Sequence, residues 1–74
     1  MDYRERIKNL REDNDYTQEY IARELHVAQT TYSDYEHGYV KIPIDCLIRL
    51  ARFYNVDMNY ITGVSNIKRK FPDK

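Results

Sequence analysis

The stretch Thr17-Gln18-Glu19-Tyr20-Ile21-Ala22-Arg23-Glu24-Leu25-His26-Val27-Ala28-Gln29-Thr30-Thr31-Tyr32-Ser33-Asp34-Tyr35-Glu36-His37-Gly38 decides the fold. It opens on Thr17, whose hydroxyl suits the free amides at a helix start, and continues with Gln18 and Glu19, placing acceptors and negative charge in the first turn. Ile21, Ala22 and Leu25 then form an apolar stripe, so the spacing predicts a helix over 18–25. After His26 and Val27 comes a polar run that is compatible with a helix over 28–36, with Tyr32 and Tyr35 as its only large apolar bodies. Gly38 stands just past it, where a left-handed residue closes a helix. A connection of two or three residues forces two such helices to cross sharply rather than lie antiparallel.

Outward from this pair the pattern stays helical. Tyr3, Ile7 and Leu10 share one face, and Asp2 with Glu5 three residues on reads as a capping box for a helix running to about Glu12. Asp13-Asn14-Asp15 is a connector. On the other side, Tyr39-Val40-Lys41 is a loop, and Pro43 suits the first position of a helix over 43–54. Ile44, Leu47, Ile48, Leu50, Ala51 and Tyr54 give that helix the strongest apolar stripe in the chain. Asp57 caps a short helix from Met58 to Thr62, ended by Gly63, and nothing alternates with the period of a strand. The expectation is an all-α, compact five-helix domain over residues 1–63, with residues 64–74 as a tail that is flexible or dimer-associated. Its expected core is Ile7, Leu10, Ile21, Ala22, Leu25, Val27, Tyr32, Leu47, Ile48, Ala51, Val56 and Ile61, with Cys46 buried on the fourth helix.

Composition narrows the function. Seventy-four residues suffice for one small domain, and no separate sensing domain is expected within them. No apolar run is long enough to span a bilayer, and no basic-then-apolar stretch ends in a small-residue cleavage site, so the expectation is a cytoplasmic protein rather than a secreted one. One cysteine closes no intramolecular disulfide, and His26 and His37 lack a plausible ligand set, so neither metal nor cofactor is expected. No nucleophile–base pair, carboxylate pair or glycine-rich phosphate loop marks an enzyme. Twelve basic and twelve acidic side chains cancel. Residues 13–60 carry eight acids against four bases, whereas residues 61–74 carry four bases against one acid.

Taken together, the T-Q-x-x-I-A start at Thr17, the E-x-G end at Glu36, the segment from Ile42 to Ala51 and the Y-I-x-G close at Tyr60 resemble the Xre/Cro-like helix-turn-helix family, which includes the phage lambda and 434 repressors. The resemblance covers about residues 3–63. It implies a lambda-repressor-like domain that binds double-stranded DNA, with its third helix in the major groove. It assigns phosphate contact to Gln18, base reading to Gln29, Thr30, Ser33 and Asp34, and backbone contact to Tyr39 and Lys41. Glutamine pairs bidentately with adenine, and a carboxylate accepts from cytosine. Arg11 and Glu36 match a pair that bridges the first and third helices. The resemblance also implies a homodimer on a roughly palindromic operator, acting as a repressor and pairing near the last helix through Met58, Tyr60, Ile61, Ile67 and Phe71.

Three departures bear on this reading. His26 stands where the family's turn usually has glycine, Ala28 stands where a capping serine or threonine is usual, and the third helix has no arginine or lysine. With zero net charge these imply a shallow salt dependence. They also leave open a second function for the same fold, a protein-binding module such as an antitoxin or an antagonist of another regulator.

Overall fold

The computed structural model describes residues 1–72. Five helices follow in order: α1 (Tyr3–Asp13), α2 (Gln18–Leu25), α3 (Gln29–His37), α4 (Ile44–Tyr54) and α5 (Met58–Ile61). There is no strand among the described residues. Asp2, Thr17 and Asp57 each accept a backbone amide at a helix start. Asp2 accepts from Arg4 rather than Glu5, so it caps α1 without the expected reciprocal box. Pro43 is the N-cap of α4, one residue earlier than its expected place in the helix. α3 begins at Gln29 with no side-chain cap on Ala28, and α5 closes at Ile61 rather than Thr62.

The core lies where the five helices meet. Ile7, Ile21, Tyr32, Leu50, Ala51, Val56 and Ile61 are wholly removed from water, with Leu10, Ala22, Leu25, Tyr35 and Leu47 nearly so. Val27 packs at the edge of the core and Ile48 is only partly buried, so neither lies inside it as expected, and Tyr35 and Leu50 take interior places that the expected core had left out. On α4 consecutive residues point about 100° apart, so burying Leu47, Leu50 and Ala51 turns Ile48 toward the rim. Cys46 is half-buried at the same margin.

A charged residue of α1 joins this interior. Arg6 is 4% exposed and has no acidic partner among the described residues. Its guanidinium donates to the Tyr60 carbonyl (2.9 Å) and the Asn66 side-chain oxygen (2.8 Å), and lies 3.8 Å from the centre of the Tyr60 ring. It thereby ties α1, α5 and the following segment. Residues 64–72 run back along the domain: the Ser65 amide donates to the Asn59 carbonyl (2.9 Å), and the Asp57 amide donates to the Arg69 carbonyl (2.8 Å). Phe71 packs at the core margin under Arg52. The last two residues of the tail, Asp73 and Lys74, lie outside the described residues.

Candidate nucleic-acid interface

α2 and α3 are joined by His26, Val27 and Ala28. His26 takes the left-handed conformation, with φ 60° and ψ 39°. Its amide donates to the Arg23 carbonyl, and that of Val27 to the Ala22 carbonyl (3.0 Å), closing α2 as glycine usually does. Histidine adopts this conformation at a steric cost of about 1–2 kcal/mol that glycine avoids.

The inner face of α3 is held in two ways. Tyr32 and Tyr35 enter the core edge-to-face, ring centres 6.3 Å apart. Beside them the Glu36 carboxylate, 3% exposed, receives four hydrogen bonds. Arg11 of α1 donates through Nε (2.7 Å) and a terminal nitrogen (3.1 Å). Gln18 of α2 donates its amide (3.0 Å), and the Tyr32 hydroxyl donates at 2.5 Å. Burial works against the charge on Glu36, but the bonds from Arg11, Tyr32 and Gln18 outweigh it and hold the carboxyl below its ordinary range. Burial first, and donation to this carboxylate second, push the Tyr32 hydroxyl far up. Three helices therefore converge on one anion, and the orientation of α3 depends on it.

The outer face is open. Gln29 and Thr30 are exposed, and Ser33 and Asp34 are partly so. Positions i, i+1, i+4 and i+5 share one side of the helix. None of the four side chains is drawn into the core. His37 Nδ1 lies 2.8 Å from the Ser33 carbonyl, which only accepts, so Nδ1 carries the proton and the ring is fixed over the last turn. The ring stacks on Tyr39, which is 78% exposed. Lys41 is exposed and lines a hollow of about 360 Å³ with Tyr3, Arg4, Gly38, Ile42 and Leu47. Gln18 sits at the first turn of α2 with one amide proton given to Glu36, an engagement that its position alone did not disclose.

Residues 7–61 match the sequence model of the Helix-turn-helix family. The chain belongs to this family, in its Xre-like branch. The uncharacterized HTH-type transcriptional regulator YobD of Bacillus subtilis (strain 168) is 36% identical over 64 residues, covering 86% of this chain and 57% of that protein. The HTH-type transcriptional regulator ImmR of the same organism is 31% identical over 70 residues, covering 95% and 55%. The cryptic phage CTXphi transcriptional repressor RstR of Vibrio cholerae is 32% identical over 71 residues, covering 93% and 64%. The chain thus spans less than two thirds of the length of these relatives. No solved structure gives a significant match.

The five residues expected at a dimer contact are differently placed. Ile61 is fully buried and has no surface to offer, Met58, Tyr60 and Phe71 are partly buried, and Ile67 is 60% exposed. Among the described residues no three His, Cys, Asp or Glu side chains are grouped to hold a metal, and no helix is long and apolar enough to cross a membrane.

Proposed function

We propose that this chain binds double-stranded DNA by sequence, with α3 in the major groove, and regulates transcription as a cytoplasmic repressor encoded by a bacterium or phage. The observation that carries this reading is the division of α3 into two faces. Its inner face is fixed by Tyr32, Tyr35 and the four-donor bonding of Glu36, and its outer face offers short hydrogen-bonding side chains to solvent. A helix used only for packing needs no such face. The relatives support it, since each is named a transcriptional regulator or repressor.

In this reading Gln29 reads an A·T pair through adenine N6 and N7, Asp34 accepts from a cytosine amino group, and Thr30 and Ser33 meet thymine methyls or phosphate. The remaining amide proton of Gln18, the Tyr39 hydroxyl and the Lys41 ammonium hold the backbone. The Arg11–Glu36 pair is a structural fastening. A homodimer places two copies of α3 on a roughly palindromic site, pairing through the exposed surface around Met58, Tyr60, Ile67 and Phe71.

Selection from a random duplex pool at physiological salt tests this. Enrichment of an inverted repeat, with half-sites about one helical turn apart, is expected. Enrichment of a single half-site retains DNA reading and removes the dimer. No enrichment by folded protein overturns the proposal and leaves a protein partner as the target.

A further inference from the structure

The α2–α3 turn is closed from outside. His26 holds a left-handed backbone where its side chain is a burden, and the hydrogen bonds of the helix end leave the Glu24 carbonyl without an amide donor. Arg49, from the middle of α4, supplies what is missing. Its Nε donates to the Glu24 carbonyl at 2.8 Å, and a terminal nitrogen lies 3.1 Å from His26 Nε2. A guanidinium only donates, so Nε2 is the acceptor and the imidazole proton is on Nδ1. One planar cation thus grips both the backbone of the last turn of α2 and the side chain that stands in place of glycine. Its charge also complements the negative end of the helix. The α4 backbone that carries Arg49 is fixed, because neighbouring Leu47, Leu50 and Ala51 are buried in the core, and the exposed Arg49 side chain reaches from it across the turn. Glu24, Asp45 and Arg52 are the other charged residues around the hollow that Arg49 lines.

We propose that Arg49 is a positioning residue for DNA reading: it sets the angle between α2 and α3 by clamping the turn at His26 and Glu24. This rests on the reading of α3 as the recognition helix. Bidentate base contacts tolerate little misalignment, so a loosened turn lowers affinity even when every contacting side chain is present. Arg49 itself needs no contact with DNA. A glycine at position 26 removes the left-handed strain and makes the turn less dependent on the clamp.

The test is a double-mutant cycle on the full chain with Arg49→Ala, His26→Gly and the pair together, with Arg49→Lys as a variant that keeps the charge but loses the fork. Two readouts are taken at a temperature where every variant is folded: amide exchange at His26 and Val27, and affinity for the duplex recovered from the random pool by the unaltered protein. Arg49→Ala is expected to speed exchange at the turn about tenfold and weaken binding about five- to tenfold, with Arg49→Lys intermediate. In the His26→Gly background, loss of Arg49 is expected to change affinity less than about twofold, because the two changes are coupled. Equal losses in both backgrounds, or faster exchange with unchanged affinity, overturn the proposal. Should the unaltered protein recover no duplex, the reading of α3 fails, while the exchange cycle still decides whether Arg49 clamps the turn.

Discussion

α3 and α4 lie in the same small domain but are fastened by different physics. α4 presents an apolar stripe and is held by Leu47, Leu50 and Ala51, whose burial is non-directional. α3 contributes only two aromatic rings to the interior and is held by a buried carboxylate with four donors from α1, α2 and α3 itself. The contrast shows how a short helix keeps a polar face free. A second apolar stripe would bury more of α3, whereas directional bonds at Glu36 orient it while occupying little of its surface.

That difference is broken most severely at Glu36. Replacing it by alanine strands the Arg11 guanidinium, the Gln18 amide and the Tyr32 hydroxyl, so urea denaturation is expected to show a loss of about 3–5 kcal/mol. Combining Glu36→Ala with Arg11→Met is expected to cost less than the sum of the two single changes. Leu50→Ala tests the apolar side of the comparison. This wholly buried residue should cost about 3 kcal/mol, yet affinity for duplex DNA should be retained wherever the variant is folded.

Acid sharpens the comparison. The Glu36 carboxyl is held below its ordinary, unfolded value, so its contribution is complete above that value and is lost as pH falls through the lower folded one. Denaturation midpoints measured from pH 6 down to pH 2 should fall through the acid range, and Glu36→Gln should remove part of that slope. Gly38→Ala is expected to cost about 1–2 kcal/mol, because its φ is +80° and an added methyl would displace the Arg4 side chain. The smallest effect is expected at Tyr54, whose buried hydroxyl has no partner among the described residues and whose burial pushes its ionisation up. Tyr54→Phe should leave stability unchanged or raise it by about 1 kcal/mol in thermal melts.

Much of this was readable in the chain. Thr17, Gly38 and Asp57 mark helix ends by local chemistry, and the stripe of α4 declares its buried side. Arg6 was not readable. It falls at the helical spacing of the Tyr3–Leu10 face, but a cation there reads as exposed until the carbonyls of Tyr60 and Ser65 and the Asn66 side chain are seen to surround it. Residues 64–72 were opaque for the same reason: their backbone bonds to Asn59 and Asp57 leave no periodic trace. On the proposed reading face, the types and spacing of Gln29, Thr30, Ser33 and Asp34 could be read directly. The attachment of Gln18 to Glu36 and the reach of Arg49 to His26 span 18 and 23 residues, and only the packing of α2 against α3 and α4 reveals them.

The face of α3 that the buried carboxylate leaves free is the central claim, and repeating the duplex selection with Gln29→Ala addresses it most directly. Gln29 is exposed, so the variant should be as stable as the parent within about 0.5 kcal/mol. The account predicts that both proteins enrich the same site, with preference relaxed at one A·T position in each half-site. An identical preference at every position would contradict it, and would mean that sequence is read elsewhere on the molecule.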